Sequence, residues 1–356
     1  MDKEHQTKPR SSVQLARGAF VGIVFGVLGL YAVMRLTDSH ISWTELAQIE
    51  PIILIMACGL MLLVRLIDSL RMSLLTRSLG GNLSVLSGIR ISILGAFVSN
   101  TTPFSSGGGP MQVYLLTESG LSPGQSTAVL ATRTLCNTFA RFTLGLVVSV
   151  WLFCFAEPLM LPKVMHVILR MGVIVYFTGL GLSIFFILNP EMVKVLIVPV
   201  VSNRVTLRLF EAEKLNALLD WIDRELTEFR KALSAFLGKG RSTLMTIILL
   251  SYGWWITLTA IPVVALAALG IQPKVFQVMA ITMMFYLAAS YAPTPGASGG
   301  AELGFGLLFR NVVPGNLLGP FVTLWRGFTY YLNLVSGALL IVVSVLQKGS
   351  QKIHLS

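Results

Sequence analysis

Long apolar segments are the feature of this 356-residue sequence that most constrains its fold. A helix needs roughly 20 apolar residues to cross the hydrocarbon core of a bilayer. Six segments approach or exceed that length: 18–34, 51–70, 127–155, 167–188, 244–269 and 317–346. We therefore predict an all-α polytopic membrane protein with about six full spans. No small-residue cleavage site follows the first segment before Thr37, so we interpret it as a span and not as a removed signal peptide.

The composition excludes a soluble globular domain. Only 12% of the residues are charged and 54% are hydrophobic, whereas soluble domains carry about 25% charged residues. The formal net charge is +11. The sequence nevertheless lacks a basic stripe interleaved with aromatic residues, so we do not predict a nucleic-acid partner. Cys58, Cys136 and Cys154 show no metal-binding spacing. We expect neither a metal nor another cofactor.

The distribution of Lys and Arg predicts the orientation of the spans, because cytoplasmic loops carry an excess of both. The loop 37–50 carries three acidic residues and no Lys or Arg, so we place it outside. Four basic regions are predicted to be cytoplasmic: the tail 1–16, the loop holding Arg71, Arg77 and Arg90, the segment 194–241, and the tail 347–356. The predicted location is the cell inner (cytoplasmic) membrane, with both termini cytoplasmic.

Two further apolar stretches, 85–98 and 275–289, run into a break rich in Pro and Gly and then resume. The orientation requires the whole segment 85–124 to begin and end inside, and the whole segment 275–316 to begin and end outside. We predict two re-entrant helical hairpins that enter from opposite faces of the membrane.

The two breaks repeat each other. Both read T-P-x-x-S-G-G, over 102–108 and 294–300, with an offset of 192 residues. Each is followed by an apolar half-segment and then by a long span with an arginine near its start, Arg133 or Arg326. We predict inverted-topology repeats, an arrangement typical of secondary transporters. In one transmembrane domain, 17–346, repeat one covers about 51–188 and repeat two about 242–346.

The serine before each Gly-Gly pair is a suitable N-cap. We expect Ser106 and Ser298 each to start a half-helix, whose free N–H groups favour an anion. The alternative is that the motif only makes a tight hairpin that packs closely.

Polar stripes mark the spans that follow the breaks. Arg133, Asn137 and Arg141 recur every four residues, which places them on one helix face. A charged residue at the bilayer centre costs roughly 2.5–3.5 kcal/mol and is functional by default. The second repeat carries a corresponding stripe of Thr323, Arg326, Tyr330 and Asn333.

These charges have two interpretations. In one, Arg65 pairs with Asp68 and Arg326 with Glu302 as structural ion pairs. In the other, the arginines serve the substrate. Arg133 and Arg141 have no acidic neighbours in the sequence, so two unpaired basic residues would suit an anionic headgroup.

The segment 203–237 is the one substantial element outside the predicted spans. Its apolar residues recur at three- and four-residue intervals, which predicts an amphipathic helix with mixed charges on its polar face. We expect this cytoplasmic helix to lie on the membrane or on the helical bundle. Docking of a partner is the alternative.

The sequence lacks the catalytic residues that several classes of enzyme require. The pattern G-x-S-G over 296–299 is typical of intramembrane serine proteases, but no histidine follows Ser298 before His354 to act as a base. No P-loop is present. We predict that the protein is not an enzyme.

The breaks resemble those of a known family. The runs N-T-T-P-F-S-S-G-G-G-P-M-Q (100–112) and A-P-T-P-G-A-S-G-G-A-E (292–302) are similar to the lysylphosphatidylglycerol synthase transmembrane-region family, often called flippase-like. The resemblance covers about 17–346. Family members often have Gly-Glu in place of Gly109-Pro110, and an arginine in place of Gln112 or Val113. Larger members add a soluble aminoacyl-transferase domain, which we do not expect here because ten residues follow the last span.

The resemblance implies movement of lipids between leaflets, and with the residues above it predicts a lipid flippase. The substrate would be an anionic or aminoacylated phospholipid, or an isoprenoid-linked lipid, whose acyl chains stay in the bilayer. The alternatives are an exporter of a small soluble anion, an intramembrane enzyme using Ser298 or Glu302, and a lipid-binding scaffold without transport. The oligomeric state stays open, with a homodimer as one option. The predicted substrate-binding residues are Thr102, Pro103, Ser105, Ser106, Gly107, Gly108, Arg133, Asn137, Arg141, Thr294, Pro295, Ser298, Gly299, Gly300, Glu302, Arg326 and Tyr330.

Overall fold

A computed structural model describes residues 50–155, 212–238, 240–288 and 295–353, with isolated positions elsewhere. The described residues are helical, without strands, which confirms the predicted all-α class for them. The helices are α1 (Pro51–Ser78), α2 (Val85–Asn100), α3 (Gly108–Glu118), α4 (Pro123–Phe155), α5 (Ala212–Leu237), α6 (Arg241–Ala268), α7 (Val275–Ala288), α8 (Gly300–Phe309), α9 (Gly315–Arg326) and α10 (Leu332–Ile353). A π-helical turn, Gly327–Tyr331, joins α9 to α10.

Within the described residues, three helices are long and apolar enough to cross a membrane: Pro51–Ser78, Arg241–Ala268 and the continuous Gly315–Ser344. They match three predicted spans. A fourth predicted span, 127–155, lies within α4. The predicted span 18–34 and most of 167–188 lie outside the described residues.

One boundary differs from its prediction in a way that matters for the site. We assigned Arg71 to a cytoplasmic loop, but α1 continues without interruption to Ser78. Arg71 is therefore a helical residue, and it is only 2% exposed. The run 71–78 contains no helix-breaking Gly or Pro, so nothing in the backbone ends the helix where the apolar pattern fades.

The same order of elements occurs twice, α1 to α4 and α6 to α9, with a broken helix in the middle of each unit. Phe104 and Ser105 have φ of 54° and 53°, and Gly296 and Ala297, the residues 192 positions later, both have φ of 58°. Non-glycine residues seldom adopt positive φ. The two breaks therefore share a specific backbone path as well as a sequence motif.

Four helices form the centre of the bundle. Helix α6 packs along α1 in the most extensive contact between any two described elements, and it also contacts α4 and α7. In the second unit an aromatic cluster joins α7, α8 and α9. Its closest pair is Phe305 and Trp325, whose rings stack with centroids 3.8 Å apart. This packing fixes α9, which carries Arg326.

The predicted amphipathic helix is present as α5, and its first predicted residues, 203–211, lie outside the described part. Phe229, Ala232 and Phe236 are buried in a cluster shared with the first unit. The Glu225 carboxylate accepts a hydrogen bond of 2.6 Å from the backbone N–H of Gly124, in the first turn of α4. An acidic group at a helix N-terminus is stabilising. We expected this helix to lie either on the membrane or on the helical bundle, and the structure places it on the bundle.

Candidate functional site

Asp68 on α1 lies at the centre of a polar cluster between helices. Its carboxylate accepts hydrogen bonds from Arg71 at 2.7 Å, from Arg133 at 3.1 and 3.2 Å, and from Ser92 at 2.7 Å. Three helices, α1, α2 and α4, thus meet at one carboxylate. Charge-assisted hydrogen bonds of this kind are about twice as strong as neutral ones.

Further polar side chains hold the two arginines in place. Arg71 also donates to Asn137 at 2.8 Å and to Ser251 on α6 at 3.0 Å. Arg133 also donates to Gln112 on α3 at 2.9 Å. Each guanidinium group is therefore oriented by hydrogen bonds to uncharged side chains as well as by its ion pair. This is expected for a group that carries five donors in a fixed geometry.

Arg65 connects this cluster to the second half of the molecule. It donates to Ser92 at 3.3 Å and to the amide oxygen of Asn333 on α10 at 2.6 Å. The predicted ion pair between Arg65 and Asp68 is therefore wrong. Asp68 instead bonds to Arg71 and Arg133, and Arg65 reaches across to α10.

The cluster borders a cavity of about 270 Å³ beside the first break. Arg65 and Arg133 line the cavity. Asp68, which accepts from Arg133 and from the buried Arg71, lies behind them, so three arginines and one carboxylate give the cluster a formal net charge of +2. The lining includes polar side chains and the first turn of α3: Arg65, Ser92, Ser99, Gly108, Gly109, Gln112 and Arg133. The N–H groups in the first turn of a helix lack helical partners. These N–H groups and the arginine side chains both favour an anion.

The second break holds a simpler arrangement. Glu302 accepts from Arg326 at 2.7 Å and from the backbone N–H of Gly299 at 2.6 Å. Glu302 is 0% exposed and Arg326 is 5% exposed. The guanidinium group also lies over the rings of Trp325 and Tyr330. The predicted pairing of Glu302 with Arg326 is confirmed.

The tips of the two broken helices meet each other. The Tyr330 hydroxyl donates to the carbonyl of Asn100 at 3.5 Å. A side chain added at Gly296 would place its Cβ 2.3 Å from the Tyr330 ring and 3.3 Å from that same carbonyl. The contact is thus close enough to require glycine, and it brings the motifs of both repeats to one place.

The predicted serine N-caps are wrong. The residues that precede the first helical turns are Gly107 for α3 and Gly299 for α8. The Ser106 hydroxyl donates to the carbonyl of Pro103 instead. Thr102 takes the capping role, because its hydroxyl accepts from the N–H of Gly107 at 3.0 Å.

The other predicted residues of the two breaks differ in their exposure. Pro103, Ser105 and Ser106 are exposed, whereas Gly108 and Ser298 are buried. Gly300 begins α8, Pro295 begins the second break, and Thr294 lies outside the described residues.

The predicted stripe on α4 does face the interior. Asn137 accepts from Arg71, and the Arg141 guanidinium group lies over the ring of Trp255, 5.6 Å from its centroid. The expectation that Arg133 is unpaired is wrong, because its partner, Asp68, lies 65 residues earlier in the chain.

Sequence reasoning missed Asp68 as the centre of the site, together with Arg71 and Ser92. A signal was available, because Arg65, Asp68 and Arg71 recur every three residues and share one helix face. This spacing was overlooked because Arg71 was assigned to a loop.

Apolar helices of spanning length, helices broken beside a buried polar cluster, and a cation-rich cavity together define a multi-pass α-helical membrane protein. The chain belongs to the family described as Lysylphosphatidylglycerol synthase TM region, which it matches over residues 19–337. This confirms the family that the breaks predicted. The chain is also 28% identical over 348 residues to a UPF0104 membrane protein from Archaeoglobus fulgidus, across 94% of this chain and 100% of that protein. No solved structure matches the chain.

Proposed function

We propose that this protein is a lipid translocase that moves an anionic lipid headgroup between the leaflets of the inner membrane. The observation that carries the proposal is the cluster of Arg65, Asp68, Arg71 and Arg133, which lies within apolar helices and borders a polar cavity. Charges at membrane depth are costly and mark transport pathways. A cluster that only stabilised the bundle would have no need of excess positive charge beside a cavity.

The chemistry of arginine suits a phosphate-containing headgroup. The planar guanidinium group binds phosphate through two parallel hydrogen bonds. In the proposed path, Arg65 and Arg133 neutralise the headgroup beside the first break, while the acyl chains stay in the bilayer. The Glu302–Arg326 pair closes the path at the second break when it is empty. A cationic headgroup, such as an aminoacylated one, would bind Glu302.

The two similar units suggest how access could alternate between the two sides of the membrane. We propose that they are inverted, with each break entering from the opposite face and with both termini cytoplasmic. Units related in this way give two states of nearly equal energy that open to opposite sides. The shared backbone of the breaks and the contact between their tips support this arrangement.

Leaflet-resolved transport of a fluorescent phosphatidylglycerol in proteoliposomes tests the proposal. We expect Arg133→Ala and Arg326→Ala each to reduce the rate by about tenfold or more, since each removes charge-assisted hydrogen bonds worth about 1.5–3 kcal/mol. Arg90→Ala is the matched control, because Arg90 is an exposed arginine on α2. Unchanged rates in both variants of the site would refute the role of the arginines.

The alternatives predict different results in the same vesicles. A soluble-anion exporter would release a trapped phosphate ion and leave the fluorescent lipid in its leaflet. A scaffold would move neither. Deletion of α5 without loss of the protein's function would refute the scaffold.

A further inference from the structure

Both arginines that line the cavity beside the first break are held by amide side chains. Arg65 donates to the amide oxygen of Asn333 at 2.6 Å, and Arg133 donates to the amide oxygen of Gln112 at 2.9 Å. An amide oxygen orients a guanidinium group but leaves its positive charge in place.

The second unit shows what a carboxylate does to a comparable arginine. Arg326 follows the second break as Arg133 follows the first, and it is bonded to the Glu302 carboxylate on α8 at 2.7 Å. Gln112 on α3 is not the positional equivalent of Glu302, but it also reaches from a half-helix to the arginine of the next long helix. The half-helix therefore neutralises the arginine in the second unit, whereas in the first unit it only orients the arginine.

Gln112 is better placed than Asn333 to determine the charge of a ligand. The Asn333 amide nitrogen already donates to the carbonyl of Thr329 at 2.6 Å. Gln112 lines the cavity and is only 7% exposed, and its amide N–H groups donate to no described residue. A Cβ added at Gly95 would lie 2.4 Å from the Gln112 amide nitrogen, so close packing on α2 fixes this side chain.

We infer that Gln112 makes the cavity selective for a lipid headgroup of net negative charge, such as that of phosphatidylglycerol, over a zwitterionic headgroup. The inference rests on the proposed function and deepens it, because it names the class of headgroup and the residue that selects it. The amide oxygen of Gln112 orients Arg133, and the amide nitrogen offers the headgroup an uncharged donor. Neither atom supplies the negative charge that a zwitterionic headgroup requires.

The selectivity follows from the charges around the headgroup. A phosphate group accepts charge-assisted hydrogen bonds from the two cavity arginines. A zwitterionic headgroup also carries an ammonium group, which the same arginines repel. The Asp68 carboxylate does not offset this repulsion, because it already accepts from Arg71 and Arg133. A carboxylate at position 112 would pair with Arg133 and attract the ammonium group.

The test compares Gln112→Glu with Gln112→Met in the full-length protein. Glutamate has the shape of glutamine, so it keeps the contact with Arg133 and adds one negative charge. Methionine fills the space with an uncharged side chain, but it removes the hydrogen bond to Arg133. Calorimetry in detergent with two water-soluble lipids, dihexanoyl phosphatidylglycerol and dihexanoyl phosphatidylethanolamine, gives the ratio of the two affinities. A purely structural role of Gln112 would not change this ratio.

We expect the wild type to bind phosphatidylglycerol about tenfold or more tightly than phosphatidylethanolamine. Gln112→Met should weaken the binding of both lipids alike and keep the ratio within about twofold of the wild type. Gln112→Glu should lower the ratio by about tenfold or more, since the new charge repels the anionic lipid and attracts the ammonium group. Thermal unfolding checks that both variants fold.

An unchanged ratio in Gln112→Glu would overturn the inference, and so would a change of the same size in Gln112→Met. A wild-type protein that binds inorganic phosphate but neither lipid would also overturn it, and would assign the cavity to a free anion. Selective binding of phosphatidylglycerol without lipid transport would preserve the selectivity of Gln112 while refuting the translocase. Lipid transport by a wild type that binds both lipids equally would do the reverse.

Discussion

At the scale of single residues, Asp68 is the most consequential side chain in the described structure. It is the carboxylate shared by Arg71 and Arg133, and it also accepts from Ser92. We expect Asp68→Asn to destabilise the protein by about 3–5 kcal/mol, because removing one partner leaves a buried charge uncompensated. The measurement is the thermal unfolding midpoint in detergent.

Glu228→Gln is the matched control for this change. Glu228 also pairs with a basic residue three positions away, Lys231, but on the surface of α5, where Lys231 is exposed and Glu228 is only half-buried. Exposed ion pairs contribute about 0–1 kcal/mol. If the two variants unfolded at the same temperature, the central role of Asp68 would be wrong.

The residues of the site could be predicted only in part. Their types could be found from sequence, because arginine and glutamate stand out in apolar spans. The pairing of Glu302 with Arg326 could also be found. The partner of Arg133 could not, since Asp68 lies on a different helix and a single sequence carries no information about which helix faces meet.

At the scale of elements, close packing of α3 on α2 shapes the cavity. A Cβ added at Gly108 would lie 1.9 Å from the Ser99 hydroxyl and 2.7 Å from the Gly95 carbonyl oxygen. We expect Gly108→Ala to cost about 1–3 kcal/mol, because a backbone atom cannot move aside without shifting a helix. Thermal unfolding in detergent measures the loss.

The neighbouring glycine provides the control. Gly109 follows in the same turn of α3, but an added Cβ meets nothing within 4 Å. Replacing glycine by alanine within a helix is stabilising by roughly 0.5–1 kcal/mol where space allows. Because a residue with a Cβ is disfavoured in the helical conformation before Pro110, part of this gain is offset. We therefore expect Gly109→Ala to lose clearly less stability than Gly108→Ala. A loss equal to that of Gly108→Ala would contradict the packing argument.

Element boundaries show the limit of sequence patterns. The starts of the broken helices were predicted to within a residue or two, because proline and glycine interrupt helices by their own geometry. The end of α1 was not predicted, because polar side chains such as Arg71 and Ser73 look like a loop until they are seen to be buried. The capping role of Thr102 was also missed, since the fold of the break places its hydroxyl beside Gly107.

At the scale of the whole molecule, the repeated order of elements was the most informative prediction. The motif alone gave the positions of both breaks, and the matching positive φ values confirm that they share a backbone path. The motif did not indicate that the tips contact each other. That property depends on packing between units distant in sequence.

The contact between the tips of the two broken helices predicts the effect of a covalent cross-link between them. Alternating access requires the two units to move relative to each other, so a short thiol-reactive cross-linker between Ser105→Cys and Ala297→Cys should stop lipid transport. These positions are equivalent in the two breaks, and the background should carry serine at Cys58, Cys136 and Cys154. Each single cysteine variant, treated with the same reagent, controls for modification alone and should retain transport. Transport at the wild-type rate in the cross-linked protein would show that the tips stay together during the cycle, and would remove alternating movement of the breaks from the mechanism.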